Sequence, residues 1–308
     1  MSNKILITGV SGMIGSALAL RAKEKGYKVI GTSRKEHFKI SKILGIDILN
    51  LNLDDRLPNL PEVDYVIHCA TPNDTQSKDF QISMKLALEG TKKIIENYSQ
   101  SKLKKFIFIS TAQIYGQTLL GDYSEDSLPK CENFYALNHF FGEELCRMYS
   151  HQEKHKFTII RPTNVYGVPN IFTVKRENLV PTCFVISLIK EGKINMRSSG
   201  LQMRDFIHHD LLSDIILNQL VLDKGHFDIV NATSGNLISI KRIAELCLKK
   251  YQKLFYKKAI INFLSDKPKK INKFNFNKKN SDFLKNEIYY EKIEETIEKL
   301  FILYKNNV

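Results

Sequence analysis

The sequence predicts an α/β fold: a doubly wound parallel sheet with helices on both faces, followed by a smaller C-terminal lobe. Through the first half of the 308-residue chain, short apolar runs alternate with longer segments of helical periodicity, the pattern typical of a parallel sheet. After Pro162 this alternation gives way to loops and shorter elements. A chain of this length can bury about three quarters of the surface its unfolded form exposes, so its core needs no disulfide or metal.

Each predicted strand is a short apolar run bounded by turn residues. The strands are predicted at Ile5–Thr8, Val29–Thr32, Ile48–Leu51, Val63–His68, Phe106–Ser110 and Thr158–Arg161. The helices between them are predicted at Gly12–Lys25, Ser77–Ser99 and Phe134–His151. Ligands of such sheets bind outside the carboxyl ends of the strands, where the strand order reverses. Residues at those ends are therefore the first candidates for a site.

The later part of the chain predicts a second lobe. We assign residues 1–165, with returning segments near 201–232, to the main domain and residues 166–308 to the smaller lobe. The polar segment Lys267–Ser281 predicts a poorly ordered surface loop. Apolar residues at helical spacing in Tyr290–Tyr304 predict an amphipathic helix that ends the chain.

The formal net charge of +13 is concentrated in one segment. Between Lys249 and Lys285, twelve lysines face only Asp266 and Asp282, a local excess of +10. The aromatic residues interleaved with these lysines include Tyr251, Phe255, Tyr256, Phe263, Phe274 and Phe276. This composition is typical of a nucleic-acid binder, in which the aromatic rings would stack on bases. It also fits a solvated basic surface whose aromatic side chains point inward and form a small core. We favour the second interpretation and expect no nucleic-acid partner.

The cysteine pattern and the hydropathy of the chain indicate the cellular compartment in which the protein is expected. The five cysteines are scattered, odd in number and contain no Cys-x-x-Cys pair, a pattern typical of free thiols in a reducing cytoplasm and not of a zinc site. No segment approaches the ~20 apolar residues of a membrane span. We therefore expect a cytoplasmic protein without a bound metal or a membrane partner.

A glycine-rich turn follows the first strand: Thr8-Gly9-Val10-Ser11-Gly12-Met13-Ile14-Gly15. Gly9 permits a tight strand-to-helix turn, Gly12 lets backbone N–H groups approach a pyrophosphate, and Gly15 lets the helix pack on the strand. A phosphate at this position lies at the positive end of a helix. The strand before and the helix after the turn predict a Rossmann-type dinucleotide site.

Further motifs follow in order along the chain. They are Ser110-Thr111-Ala112-Gln113-Ile114-Tyr115-Gly116, the Tyr135 segment with Gly142-Glu143, Arg161-Pro162-Thr163-Asn164-Val165-Tyr166-Gly167, and Gln202-Met203-Arg204-Asp205-Phe206-Ile207. With these motifs, nearly the whole chain resembles an extended short-chain dehydrogenase/reductase of the NAD(P)-dependent nucleotide-sugar epimerase/dehydratase family. The resemblance implies an oxidoreductase acting at C4 of a nucleotide-diphosphate sugar, as a 4-ketoreductase or a 4-epimerase, in bacterial surface polysaccharide sugar biosynthesis.

The resemblance also implies catalytic roles for three residues. Thr111 holds the reacting sugar oxygen, Tyr135 exchanges a proton with it, and His139 positions the cofactor ribose. In the family a lysine four residues after the tyrosine supplies positive charge, but this chain has His139, whose imidazole is mostly neutral at pH 7. Three outcomes follow: a reductase that works with a protonated tyrosine, an enzyme more active at alkaline pH, or a regulatory homologue that binds cofactor without turnover. Family members that dehydrate have Asp-Glu where this chain has Ala112-Gln113, which disfavours dehydration.

The cofactor residues follow from the same resemblance. Ser33 stands where NAD enzymes hold an acid, and Arg34 can chelate a 2′-phosphate, so NADP is preferred over NAD. Asn52 replaces an aspartate near the adenine, and Ala87 replaces an asparagine that braces the central helix. The implied cofactor-binding residues are Gly9, Ser11, Gly12, Met13, Ile14, Gly15, Ser33, Arg34, Asn52, Leu53, Cys69, Ala70, Ser110, Tyr135, His139 and Pro162.

The implied substrate-binding residues are Thr71, Thr111, Asn164, Leu179, Val180 and Arg204. Arg204 is the candidate for the two phosphates, because a guanidinium binds them in a fork geometry. Its alternative role is an ion pair with Asp205 or Asp210. Family members often pair through two helices per subunit, so the predicted helices Ser77–Ser99 and Phe134–His151 imply a homodimer.

Overall fold

Seven parallel strands form the central sheet of the computed structural model, which describes residues 3–34, 37–152, 155–171, 177–264, 273–276 and 288–305. The strands are β1 (Lys4–Thr8), β2 (Lys28–Ser33), β3 (Asp47–Asn50), β4 (Tyr65–His68), β5 (Lys105–Ile109), β7 (Lys156–Pro162) and β11 (Phe227–Ala232). Their order is β11-β7-β5-β4-β1-β2-β3. The order reverses between β1 and β4, which is where ligands bind in such sheets.

Helices cover both faces of this sheet. They are α1 (Met13–Glu24), α2 (His37–Leu44), α3 (Phe80–Lys85), α4 (Thr91–Asn97), α5 (Phe134–Ser150) and α7 (His209–Val221). β1 shows why the strands are apolar throughout: Ile5 and Ile7 enter the core beneath α1 and α7, and Leu6 enters the core on the opposite face. A strand buried on both faces needs apolar residues at every position.

Three small sheets and three helices form the rest of the described chain. The sheets pair β8 (Asn164–Tyr166) and β12 (Leu237–Ser239) with β10 (Met203–His208), β9 (Lys193–Met196) with β13 (Ile260–Phe263), and β6 (Gly121–Tyr123) with β14 (Phe274–Phe276). The helices are α6 (Thr182–Glu191), α8 (Ile240–Phe255) and α9 (Ile288–Lys305). These three helices share a core that includes Val185, Cys247 and Leu300.

The six predicted strands are confirmed to within a few residues, and the predicted C-terminal helix is confirmed as α9. The helix predicted at Ser77–Ser99 is confirmed over Phe80–Asn97, where α3, a π-helical turn (Leu86–Gly90) and α4 follow one another without a gap. Its start differs from the prediction, because a separate 3-10 turn (Gln76–Lys78) precedes Asp79. The long helix begins after Asp79, whose side chain accepts the Ile82 N–H at 3.1 Å.

Two predictions for the C-terminal part need correction. In the predicted loop Lys267–Ser281, Phe274–Phe276 is a strand that pairs with β6; the rest of that segment, apart from Lys273, lies outside the described residues. The aromatic residues of the basic segment were expected to turn inward, and Tyr251 and the two phenylalanines of β14 do so. Tyr256 and Phe263, however, are 94% and 43% exposed.

All five cysteines are unpaired thiols. Within the described ranges, none of the helices combines the length and apolar character needed to cross a bilayer. The division into residues 1–165 and 166–308 stays a prediction. β11, which completes the central sheet, comes from the segment predicted to return to the main domain.

Candidate active site

A cavity of about 970 Å³ lies at the carboxyl ends of the central strands. Of the residues predicted to bind cofactor or substrate, all but Asn52 line it. They are Gly9, Ser11, Gly12, Met13, Ile14, Gly15, Ser33, Arg34, Leu53, Cys69, Ala70, Thr71, Ser110, Thr111, Tyr135, His139, Pro162, Asn164, Leu179, Val180 and Arg204. The Asn52 side chain instead hydrogen-bonds Asp54 and Asp55 in its own turn.

The glycine turn has the backbone geometry that the motif predicts. Gly9 has a φ of 70°, a left-handed conformation that favours glycine. A Cβ at Gly15 would collide with the Gly9 carbonyl oxygen, so only glycine allows α1 to pack this closely on the turn. α1 begins at Gly12 without a side-chain cap or an acidic residue in its first turn. Its N–H groups and positive dipole end thus face the cavity uncompensated, as an anion-binding terminus requires.

His68 joins the ends of β1 and β4 to α4. Thr8 Oγ1 accepts the N–H groups of Cys69 and Ala70 at 3.0 and 3.1 Å, so its own proton is donated to His68 Nδ1 at 2.8 Å. His68 Nε2 then carries the ring hydrogen and donates it to Thr91 Oγ1 at 3.2 Å. Burial lowers the pKa of His68 to about 3. The imidazole is therefore a neutral brace with a fixed tautomer.

Tyr135 and His139 lie one turn apart on α5, with ring centroids 4.6 Å from each other in an edge-on arrangement. His139 is 4% exposed and also packs against Phe108. Burial lowers the pKa of His139 to about 4, against a smaller opposing effect of a hydrogen bond with the Ile109 backbone. His139 Nδ1 has no hydrogen-bond partner among the described residues. At neutral pH this imidazole is uncharged and cannot lower the pKa of the phenol beside it.

Thr111 lies at the end of β5, where it caps a short 3-10 turn. Its Oγ1 accepts the Gln113 N–H at 3.2 Å, which leaves its own hydrogen free to be donated into the cavity. Asn133 caps α5 by accepting the Ala136 N–H at 2.8 Å, and its Nδ2 donates to Gln113 Oε1 at 3.4 Å. These contacts hold the turn that carries Thr111 against the first turn of the helix that carries Tyr135.

A buried ion pair lies beneath the site, and the sequence did not predict it. Arg161 Nη2 and Glu143 Oε2 are 2.6 Å apart, with side chains 3% and 0% exposed. Glu143 also accepts the Ser110 hydroxyl, and Arg161 Nη1 donates to Tyr115 Oη at 2.7 Å. Ser110 thus offers only lone pairs to the cavity. The sequence did contain a sign of this ion pair. Arg161 and Glu143 lie within apolar elements, and charged side chains that are buried there need partners of opposite charge.

Arg204 brings positive charge to the other end of the cavity. Its Nη1 donates to the Gln117 carbonyl at 2.6 Å, and burial lowers its pKa. The suggested ion pair with Asp205 or Asp210 does not occur. Asp205 is 1% exposed and accepts hydrogen bonds from Thr163, Thr233, Ser234 and Asn236. Because no carboxylate of the described residues neutralises it, the guanidinium can bind an anionic ligand.

Two further positions depart from the family pattern. Ala87 is 2% exposed within the π-helical turn, so no side chain at this position reaches a polar partner. On the facing α5, Asn138 donates to Ser77 and Ser83 at 3.3 and 2.9 Å. Asn138 takes part in the bracing expected of the missing asparagine, because its bonds tie α5 to α3 and to the 3-10 turn before α3.

His208, His209 and Asp210 could together hold a metal ion, but they lie outside the cavity. His208 Nδ1 accepts the Asp210 N–H at 3.2 Å, and Lys292 Nζ is 3.2 Å from the Asp210 carboxylate. Both contacts compete with a cation. These side chains start α7 and connect it to α9.

A sequence model of the family described as "NAD dependent epimerase/dehydratase family" matches residues 5–232. The dTDP-D-glucose 4,6-dehydratase of Dictyostelium discoideum is 28% identical over 365 aligned positions, covering 99% of this chain and 82% of that protein. The dTDP-4-dehydro-6-deoxy-D-allose reductase of Streptomyces sp is 23% identical over 265 positions, covering 79% and 80%.

Solved structures of similar proteins share the fold. The UDP-glucuronic acid 4-epimerase from Bacillus cereus, in complex with UDP-glucuronic acid and NAD, superposes with a TM-score of 0.77 and 25% identity. The superposition covers 98% of this chain and the whole of that one. The α/β architecture is therefore common to both.

Proposed function

The chain belongs to the NAD dependent epimerase/dehydratase family, and from this membership we propose that it is an NADPH-dependent 4-ketoreductase of a nucleotide-diphosphate sugar. The observation that carries the proposal is the neutral, buried His139 beside Tyr135. A reductase needs a tyrosine that starts protonated, whereas the oxidising first half of an epimerase cycle needs a phenolate. A free phenol has a pKa near 10, and the uncharged imidazole of His139 adds no positive charge at the position where the family has a lysine.

The residues of the cavity fit a nicotinamide dinucleotide. The glycine turn presents the uncapped start of α1 to a pyrophosphate, and a side chain at Gly15 would fill that cradle. His139 Nδ1, which lacks a partner in the described chain, can hydrogen-bond a ribose hydroxyl. Ser110 presents lone pairs that can accept the N–H of a carboxamide. When bound, the reduced cofactor supplies the hydride.

Residues of the chain bind the C4 carbonyl oxygen of the sugar and supply the proton that this oxygen receives. Thr111 donates its free hydrogen to the C4 carbonyl oxygen and polarises the carbon–oxygen bond. As the carbon accepts hydride, Tyr135 gives its phenolic proton to the same oxygen, and the product is the C4 alcohol. Solvent returns a proton to the phenolate. Arg204 holds the diphosphate, since its guanidinium lines the cavity and forms no ion pair with a carboxylate in the described part of the chain.

Dehydration is not the proposed reaction, although a dehydratase is among the relatives. Removing water from the sugar needs an acid and a base beside the threonine, and this chain has Ala112 and Gln113 there. Among the described cavity residues the only carboxylates are Asp74 and Asp205. Asp205 is saturated with hydrogen bonds, and Asp74 accepts the amide of Asn178. Neither is placed beside Thr111 by its contacts.

The proposed preference for NADPH rests on the end of β2. Ser33 leaves no negative charge where a 2′-phosphate would lie, and Arg34 is exposed on the cavity wall without an ion pair to any described residue. A guanidinium in this place can bind the phosphate through two hydrogen bonds. Running each assay below with NADH in place of NADPH tests the preference, and equal turnover would remove Arg34 from this role.

The experiment is a cofactor balance on purified protein given dTDP-, UDP- and GDP-linked 4-keto sugars and their C4 alcohols. We expect NADPH to be consumed in equal amount to a 4-keto sugar, with no epimerisation of the alcohols. Tyr135→Phe should lower kcat about 10²–10⁴-fold, since it removes the proton donor. Thr111→Val is the matched variant that removes only the carbonyl's hydrogen bond.

Two results would contradict the proposal. Interconversion of C4 epimers without net NADPH consumption would identify an epimerase. Tight cofactor binding without turnover of any of these sugars would identify a regulatory homologue. A homodimer, and a place in bacterial surface polysaccharide sugar synthesis, remain part of the proposal.

A further inference from the structure

The end of α8 and the strand after it form a basic, apolar surface that the proposed reaction does not use. We propose that this surface, residues 256–264, binds an anionic lipid membrane. The proposal does not depend on the reaction assigned to the cavity. It concerns binding to a bilayer surface and not a spanning helix, and it revises the expectation that the protein has no membrane partner.

Exposed apolar side chains are concentrated here. Tyr256, Ile260 and Leu264 are 94%, 57% and 66% exposed, and Phe263 is 43% exposed. Leu264 directly follows β13, and its N–H still bonds the Met196 carbonyl of β9 at 2.9 Å. Because side chains alternate along an extended chain, we expect Ile260 and Leu264 on the same face. On the other face, Ile261 and Phe263 pair with Ile194 and Met196 of β9, which are buried. Phe263 is the last residue of β13 and stays partly exposed there. Pairing with β9 therefore holds the outward row, the side chains of Ile260 and Leu264, in place.

Tyr256 has a strained backbone that suits this surface. It is the only non-glycine residue of the described chain with a positive φ, at 53°. This left-handed conformation costs free energy in a residue other than glycine or asparagine. At the end of α8 it directs the aromatic ring almost entirely into solvent. Tyrosine favours the boundary between water and acyl chains, because its ring is apolar and its hydroxyl is polar.

Lysines surround this row. Lys257 and Lys258 are exposed, and neither forms an ion pair with a described residue. Lys241 lies over the Phe263 ring at 5.8 Å, and Arg197 is exposed just past β9. The segment between Lys249 and Lys285 has an excess charge of +10. Apolar side chains framed by lysines are the combination that binds anionic lipid headgroups.

The composition of this surface argues against two other binding partners, a second copy of this chain and a nucleic acid. A second copy of this chain would bring like charges together, which opposes self-association through this surface. A nucleic acid would use the lysines and the aromatic rings, but Ile260 and Leu264 have no π-face on which a base can stack. Both aliphatic side chains gain free energy by entering the acyl boundary of a bilayer.

The chain contains no tryptophan, so Tyr256→Trp gives a protein with a single fluorescent reporter on this surface. We expect its emission to shift to shorter wavelength with vesicles of phosphatidylcholine and phosphatidylglycerol, and not with phosphatidylcholine alone. Ile260→Ser combined with Leu264→Ser should lower the vesicle partition coefficient at least about tenfold. Raising salt from about 0.1 M to about 1 M should release the protein, because the Debye length falls from ~10 to ~3 Å.

Phe38→Trp provides the matched control. Phe38 is 82% exposed on α2, with the exposed lysines Lys39 and Lys42 beside it. We expect no shift from this reporter. An equal shift at Phe38, no shift at Tyr256 with anionic vesicles, or displacement of bound vesicles by a random DNA duplex would each overturn the proposal. None of these variants lies in the cavity, so NADPH turnover should be unchanged and tests the other proposal separately.

Discussion

At the scale of single residues, His139 is the basis for proposing reduction and not oxidation at this site. A histidine at the position of a family lysine keeps the spacing from Tyr135 but loses the charge, because burial holds the pKa of the imidazole at about 4. It packs against two aromatic rings, and its Nδ1 has no hydrogen-bond partner among the described residues, which suits the proposed contact with an uncharged ribose hydroxyl. In the proposed reaction, this one residue therefore favours a phenol that works as an acid over one that works as a base.

We expect His139→Lys to move the pH dependence of the reaction. An ammonium near Tyr135 favours the phenolate and lowers the phenol's pKa by about 1–3 units. Reduction should then fall off at a pH lower by that amount, and oxidation of the C4 alcohol should become measurable at neutral pH. The measurement is kcat/KM against pH in both directions. His139→Gln is the uncharged control, and an unchanged profile for the lysine variant would refute the role given to this position.

Motifs in the sequence predicted the residues that line the cavity but not the contacts among them. Tyr135 and Thr111 follow from local spacing, which the chain displays directly. The ion pair between Glu143 and Arg161 joins α5 to β7 and depends on how these elements pack. Asp205 shows the same limit: the motif suggested a ligand contact or an ion pair, whereas its neighbours in space use all its acceptor capacity.

At the scale of elements, α5 has an apolar stripe that faces away from the sheet. Phe134 and Met148 are 48% and 45% exposed, and Leu137 and Phe141 between them are half-buried. Phe80 of α3, 36% exposed, extends the stripe, with its ring centroid 4.7 Å from that of Phe134. A monomer rarely exposes such a surface without a partner. The stripe supports the proposed homodimer.

We expect Leu137→Glu combined with Phe141→Glu to convert a dimer into a monomer, because four carboxylates would meet in the apolar interface. Light scattering after size-exclusion chromatography measures the mass. Glu144→Gln, on the same helix, is the control and should leave the dimer intact, since its contact with Arg147 is a surface ion pair of little energy. A wild-type protein that is already monomeric would refute the proposal.

Local sequence patterns predicted the elements that have strong periodicity. They missed the elements that form only by pairing with another segment of the chain. α5 matches its prediction because Asn133 is a clear N-cap and the pattern continues for four turns. β14 was missed because its two phenylalanines lie among lysines and asparagines, and only pairing with β6 makes the segment a strand. A strand of three residues is too short to show an alternating pattern, so the polar residues around it led to the prediction of a loop.

At the scale of the whole molecule, Asp205 joins the central sheet to the smaller one. It lies on β10, and its carboxylate binds Thr163 after β7 and the three residues Thr233, Ser234 and Asn236 after β11. Three segments distant in sequence converge on two oxygens. The sequence predicted which segments return to the main domain, but this junction requires the three-dimensional arrangement.

We expect Asp205→Asn to lower the free energy of unfolding by about 2–4 kcal/mol, because an amide replaces one acceptor oxygen with a donor facing other donors. Urea denaturation followed by circular dichroism measures the change. Asp47→Asn, on an exposed strand position, should change it by less than about 0.5 kcal/mol. Equal effects of the two substitutions would show that Asp205 does not hold the junction.

The position of β11 at one edge of the central sheet has a consequence for how the chain is made. During synthesis from the N-terminus, β7 leaves the ribosome long before its outer neighbour Phe227–Ala232 has been translated. Until then the nascent sheet has a bare hydrogen-bonding edge, which invites aggregation. Chaperone dependence should therefore be greatest for ribosome-bound fragments that stop between these two strands, and it should decline once β11 emerges.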